Sequence, residues 1–92
     1  MDKYIVESEI LIRAVDKPFN QRQALGIFYS AEEAYRYIEK YLSDTKDLHT
    51  YFSRQILCSK EDYPEYIESG RIVAINIVLG QFEDMIYVRK SS

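Results

Sequence analysis

His49 is the first residue whose chemistry must be weighed, because it is the only histidine in the chain and imidazole ordinarily titrates near neutrality. Asp44 and Asp47 precede it closely, and a carboxylate beside an imidazole can form an acid–base site. The three residues lie in a polar stretch behind a predicted helix, however, where a histidine commonly faces water or the last helical carbonyls. We therefore favour a structural role for His49 over a catalytic one.

Cys58 is the only cysteine. A reactive thiol needs an electropositive, partly exposed setting and usually a neighbouring base. Cys58 alternates with Ile56 in a strand-like segment, which favours a buried and inert thiol, and Lys60 nearby gives only weak support for activation. Because the chain has one cysteine and one histidine, a disulfide within the chain and a zinc site built from several Cys or His ligands are both excluded.

Glu7 and Glu9 project from the same face of a predicted strand, as a pair of catalytic carboxylates would. A strand face turned to water has the same pattern, and Arg13 on that face would balance the charge. Charged residues also protect strands from unwanted pairing. We therefore interpret the two glutamates as part of a solvated face.

The glycines Gly26, Gly70 and Gly80 are isolated from one another. A phosphate-binding loop or a dinucleotide fingerprint needs closely spaced glycines, which let the backbone approach a phosphate. The sequence therefore predicts no nucleotide cofactor, no metal and no catalytic residue. The function that it predicts is not enzymatic.

The most unusual local composition belongs to a stretch that combines carboxylates with tyrosines, here called the acidic segment. Its residues are Glu61, Asp62, Tyr63, Glu65, Tyr66 and Glu68. Carboxylates steer a basic partner, and tyrosine is enriched in protein interfaces. This segment, together with Tyr37 on the polar side of a predicted helix, is therefore the candidate partner-binding surface. The alternative is a short amphipathic cap whose tyrosines cover the sheet edge while its acids face water.

Length and composition bound the class of protein. With 92 residues, the chain is expected to form one domain over residues 1–92. A formal net charge of −3 opposes direct nucleic-acid binding, which depends on clustered Lys and Arg. The apolar runs are far shorter than the roughly 20 residues of a membrane-spanning helix, and no secretory signal pattern follows Met1. We therefore expect a cytoplasmic protein that has no membrane partner.

Alternating apolar and polar residues predict the strands of the sheet. They cover residues 4–15, 24–29, 51–59, 71–80 and 85–90. A long polar loop is predicted over residues 16–23 and a short turn over residues 80–84. Because local hairpins dominate, we expect a mainly antiparallel sheet of four to five strands.

The principal helix is predicted over residues 31–43. Ser30 and Glu33 form an S-x-x-E capping box at its start, and apolar residues then recur at spacings of three and four. A second, short helix is predicted within residues 60–70, with Pro64 in its first turn, and an irregular loop is the alternative. The predicted order is β-β-α-β-(short α)-β-β, an α+β fold with one principal helix packed on one face of the sheet.

The predicted strand 71–80 has apolar residues on both faces. One helix covers a single face of a sheet, so the other face needs a second layer. We therefore predict a homodimer whose interface uses either the face with Ile72, Ala74 and Val78 or the edge of the C-terminal hairpin. The alternative is a monomer in which the short segment of residues 63–69 folds back over that face.

Three functions are compatible with these features. The first is a small, non-enzymatic protein-interaction module that binds or masks a basic protein partner. The second is an antidefence inhibitor of the phage or plasmid type, whose carboxylates would occupy the basic groove of a nucleic-acid-binding enzyme. The third is a small-ligand binder or enzyme whose site forms between two copies of the chain. We favour the first.

Overall fold

The computed structural model describes residues 2–12, 19–48, 53–78 and 82–91. These residues form an α+β fold, as predicted. In chain order its elements are β1 (Lys3–Ile12), β2 (Phe19–Phe28), α1 (Ala31–Leu48), β3 (Ser53–Leu57), α2 (Tyr63–Ser69), β4 (Ala74–Val78) and β5 (Phe82–Ser91).

The strands form one five-stranded sheet in the order β2-β1-β5-β4-β3. Every neighbouring pair is antiparallel, which confirms the predicted sheet type. The final strand, β5, lies near the centre, where its ladder with β1 runs from Lys3 opposite Ser91 to Ile12 opposite Phe82. The β4–β5 ladder stops at Ile86, so among the described strands β1 alone pairs with residues 87–91.

The two faces of the sheet have different neighbours. Residues of the face toward helix α1, here called the covered face, are buried: Val6, Ser8, Ala74, Asn76, Asp84, Ile86 and Val88. Ala34, Ile38 and Leu42 of α1 belong to the same core, as their three- and four-residue spacing predicts. The opposite side, here called the open face, lies under neither helix.

Helix α1 begins where the capping box predicts. The Glu33 N–H donates to Ser30 Oγ at 3.1 Å, which satisfies one of the free donors of the first turn. The predicted end at residue 43 is wrong, because the helix continues to Leu48. Most of the added residues 44–48 are polar. Among them, the Thr45 hydroxyl donates to the Tyr41 carbonyl at 2.8 Å. No described helix is long and apolar enough to cross a membrane.

Strand β2 is longer than predicted. It includes Gln21 and Arg22, which pair with Ile10 and Glu9 of β1, although their polarity suggested a loop. An edge strand tolerates such residues because its backbone pairs on one side while its side chains stay in water. The remainder of the predicted loop, residues 16–18, lies outside the described residues.

Strand β5 begins at Phe82, three residues before its predicted start at Met85. This places Asp84 inside the sheet, opposite Ile10 of β1 and Asn76 of β4. Polar residues in a segment with few apolar neighbours are typical of turns. Asp84 nevertheless belongs to a strand, where the hydroxyls of Ser8 and Tyr41 donate to its carboxylate.

Helix α2 confirms the predicted short helix. Pro64 lies in its first turn, and Gly70 ends it with a left-handed φ of 70°, a conformation that glycine adopts without strain. The Gly70 N–H donates to the Ile67 carbonyl at 3.3 Å, and the Arg71 N–H donates to the Tyr66 carbonyl at 3.0 Å. The end of α2 is therefore closed by its own backbone.

Of the two predicted locations of a dimer interface, the structure contradicts the sheet face. Ala74 is 1% exposed on the covered face, so the face that it shares is occupied by α1. The β4–β5 hairpin has no free edge where its strands pair, because β3 flanks β4 and β1 flanks β5. Residues 87–91 of β5 pair only with β1 among the described strands, so an interface at the hairpin edge stays a prediction. If a second copy binds the sheet face to face, the open face is where it must bind.

Candidate protein-interaction surface

The acidic segment has an interior side and an exterior side. Tyr63 is 5% exposed; its hydroxyl donates to the Ala31 carbonyl at 2.7 Å, and its ring meets the Tyr35 ring edge-on at a centroid distance of 4.8 Å. Tyr63 therefore anchors α2 to α1, and it is not available to a partner in this fold. Its burial also raises its pKa.

The four carboxylates of the segment lie on the exterior side. They are Glu61, Asp62, Glu65 and Glu68, and all are exposed. None of them forms a salt bridge with another residue that the structure describes. Tyr66 is partly buried, with the Arg71 guanidinium 5.1 Å from its ring centroid. The exterior side therefore offers uncompensated negative charge beside one aromatic ring.

Tyr37 does not join this surface. Its ring lies 5.1 Å from that of Phe28 on β2 and stacks at 6.4 Å on that of Tyr41. Tyr35 contacts α2, and residues two apart on a helix project roughly 200° from each other. Tyr37 thus faces the β2 side of α1, where it covers the sheet margin instead of extending the acidic segment.

Glu7 and Glu9 share a face as predicted, but arginines hold Glu7 in place. Arg89 Nε donates to one Glu7 carboxylate oxygen at 2.7 Å, and Arg22 Nε donates to the other at 3.0 Å. The hydrogen bond from Arg89, assisted by Arg22, lowers the pKa of Glu7 against the opposing effect of burial. A carboxylate held ionised by two cations is a poor general acid, so a structural ion-pair network is the better interpretation. Arg13 lies outside the described residues.

The open face has an apolar half, here called the apolar patch, which consists of Ile56, Ile75, Ile77 and Met85. Register places Ile56 of β3, Ile75 of β4 and Met85 of β5 side by side in one row. Ile56 is 46% exposed, and the other three remain partly exposed. Side chains of this kind ordinarily require a covering layer, and exposed apolar patches commonly mark interaction sites.

A buried polar network on the covered face was missed by sequence reasoning. Asp84 is 2% exposed, and its two carboxylate oxygens accept hydrogen bonds from the hydroxyls of Ser8 and Tyr41. Burial and this carboxylate raise the pKa of Tyr41. Since Tyr41 belongs to α1 and Ser8 to β1, the network holds α1 on the sheet.

Gln55 and Asn76, which lie beside Asp84 on neighbouring strands, are polar as well. The Gln55 amide nitrogen donates to the Leu42 carbonyl at 2.6 Å and to Asn76 Oδ1 at 3.2 Å. Asn76 is fully buried, and its Nδ2 has no acceptor among the described residues. The covered face therefore buries polar groups beneath the second half of α1.

Cys58 is partly buried, and its thiol is free. Burial raises its pKa, and the carboxylate of Asp62 raises it further, so little thiolate forms at neutral pH. This setting favours the inert interpretation. His49 lies outside the described residues.

A groove of about 680 Å³ separates α2 from the C-terminal half of β5. Its lining includes Tyr87, Arg89 and Lys90. Arg89 is bound to Glu7, and Lys90 Nζ lies 3.5 Å from an Asp2 carboxylate oxygen, so its cations are largely neutralised. Within the described parts of the chain, no three His, Cys, Asp or Glu side chains are grouped to hold a metal ion.

Comparisons of the chain with protein-family models, curated proteins and solved structures found no match.

Proposed function

We propose that this chain is a non-enzymatic interaction module that binds a basic protein partner through helix α2. One observation supports the proposal above others: the four exposed carboxylates of the acidic segment lack counter-ions among the described residues. Glu7 and Glu32 are paired with arginines; Glu39 and Asp44 of α1 are also without a salt bridge to a described residue, but they are farther apart in the sequence than the acids of the acidic segment. Uncompensated charge of one sign steers association with a partner of the opposite sign.

The way in which α2 is held favours the same function. The buried Tyr63 anchors its first turn, and the left-handed Gly70 closes its last turn. A binding element that is ordered before it meets its partner avoids the entropic cost of ordering during association. The short helix therefore presents its carboxylates in a fixed arrangement.

Charge reversal of α2 tests the proposal. Glu61, Asp62 and Glu65 are replaced together by Lys, and the matched control replaces Glu32, Glu39 and Asp44 of α1, which are also exposed. Each reversal raises the charge by two, so both variants change from a net −3 to +3. A tagged protein is used to capture partners from its host at low and at high salt, and mass spectrometry measures the enrichment of each captured protein.

We expect basic proteins to be enriched by the unmodified chain and by the α1 control, to be lost by the α2 variant, and to be released by salt. Circular dichroism establishes that both variants remain folded. Equal capture by the two variants would show that overall charge, and not α2, determines binding, and it would remove the proposal.

The inhibitor function, which is the second of the three candidate functions, requires one further property of the partner. If the partner is a nucleic-acid-binding enzyme whose basic groove α2 occupies, an oligonucleotide must compete with this chain for that enzyme. Competition in a fluorescence-anisotropy assay with the captured partner distinguishes the inhibitor from an interaction module that binds elsewhere.

A further inference from the structure

None of the described residues forms a covering layer over the open face of the sheet. The described side chains on it all remain partly or fully exposed: Lys3, Ile5, Glu7, Glu9, Leu11, Arg22, Ala24, Ile27, Arg54, Ile56, Ile75, Ile77, Glu83, Met85, Tyr87, Arg89 and Ser91. On the covered face, by contrast, residues of the same central strands are buried. From this contrast we infer that the open face binds a second copy of this chain, sheet against sheet.

The area of the face fits this occupant. Three strands of ten residues and two of five, at about 3.3 Å per residue and about 4.8 Å between strands, give a projected area on the order of 600 Å². Two copies would together bury about 1,200 Å², the lower end of the range for specific interfaces. A short peptide could not cover the same area.

The charges of the face also favour a second copy over a strongly charged partner. Its described acids are Glu7, Glu9 and Glu83, and its described bases are Lys3, Arg22, Arg54 and Arg89. The bases exceed the acids by one, and Glu7 is bound by two of the arginines within the same chain. A face with so small an excess of charge gains little from a strongly charged partner and meets its own copy with little net repulsion.

A two-fold axis that lies between the layers and runs across the strands would place the apolar patch of one copy over that of the other. Ile56, Ile75 and Met85 would then meet their own copies in the β3–β5 half of the interface, where water is excluded. Both α2 helices would remain exposed, because they pack on the covered side of each sheet. The inference does not depend on the proposed function of α2.

Analytical ultracentrifugation over a range of micromolar concentrations tests the inference. We expect twice the monomer mass of 10.9 kDa, and we expect Ile56→Asp to weaken self-association about a hundredfold or more, because it buries a carboxylate without a partner. Ile56 is a suitable position since it lies on an edge strand and is already 46% exposed. The matched control is Ser43→Asp, which adds the same charge on the exposed side of α1 and should leave the dimer intact.

Ile75→Asp on the central strand β4 is a second test at the middle of the patch. Circular dichroism identifies whether either variant has lost its fold, and Ile56→Asp decides the matter if Ile75→Asp unfolds. A monomeric mass for the unmodified chain at every concentration overturns the inference. A dimer that a folded Ile56→Asp variant leaves undiminished also overturns it, because the interface would then lie elsewhere.

Discussion

The covered face of the sheet holds the apolar core, but at some positions of β4 and β5 the two faces depart from the usual distribution of polarity. Beneath the second half of α1, the covered face buries Asp84 and Asn76, whereas the open face exposes Ile75 and Met85 on the same two strands. An isolated two-layer domain would be expected to bury the apolar side and to solvate the polar one. The difference shows that burial in this chain depends on which face receives the helix.

The comparison also separates two kinds of stabilisation. The covered face combines apolar packing around Ile38 and Ile86 with hydrogen bonds made in a dry interior, where an unpaired polar group is costly. The open face combines a water-accessible ion-pair network around Glu7 with an apolar patch that no described residue covers. Substitutions on the two faces should therefore change the free energy of unfolding by different amounts, and these changes should depend differently on protein concentration.

The largest expected effect is a contrast between matched isoleucines. Ile86→Ala should lower the free energy of unfolding by about 3 kcal/mol, because Ile86 is fully buried and its truncation leaves a cavity. At concentrations low enough for a monomer, Ile75→Ala should cost only about 1 kcal/mol, because water already reaches its side chain. Urea denaturation of both variants measures the contrast, and equal losses would show that the two faces are equally buried.

The second-largest loss of stability is expected for substitutions in the buried network of Asp84, Ser8 and Tyr41. Asp84→Ala should destabilise the domain by about 2 to 3 kcal/mol, since the hydroxyls of Ser8 and Tyr41 would lose their acceptor in the interior. Asp84→Asn retains one acceptor oxygen and should cost roughly half as much. Thermal unfolding compares the variants, and an Ala variant as stable as the unmodified protein would mean that the network contributes nothing.

The smallest effect concerns pH and the open face. Because the pKa of Glu7 is lowered in the folded state from its ordinary value of 4.5, its ion pairs stabilise the fold above that pH. The contribution is lost as the pH falls through the lowered pKa. Glu7→Gln should therefore cost about 1 kcal/mol or less at neutral pH, an amount that solvent screening limits, and should make stability fall less steeply in acid. Urea midpoints between about pH 6 and about pH 2 measure this difference.

Much of the architecture could be predicted because it depends on local patterns. The alternation around Val6 and Glu7 identifies the inner and outer sides of β1, and Ser30 identifies the start of α1 through a bond that spans three residues. Strand boundaries were less accurate, because polar residues such as Gln21 lie in an edge strand. Local pattern does not distinguish such a strand from a loop.

The candidate surfaces were harder to predict, because they depend on contacts between distant residues. Ser8 and Asp84 are 76 positions apart, and only the β1–β5 register shows that their side chains meet. Tyr63 resembles Tyr66 in the sequence, yet packing against Tyr35 buries the first and leaves the second partly exposed. The sequence predicted that a second layer must cover one face of the sheet. It did not predict which side of β4 packs against α1, because that strand has apolar residues on both sides.

The central position of β5 has a consequence for synthesis on the ribosome. Among the described elements this strand is synthesised last, yet it alone joins the β1–β2 hairpin to the β4–β3 pair. Until β5 inserts, the two parts of the sheet are separate, and each has an unpaired edge. Such edges favour intermolecular pairing, so the chain should be most prone to aggregate before β5 has inserted.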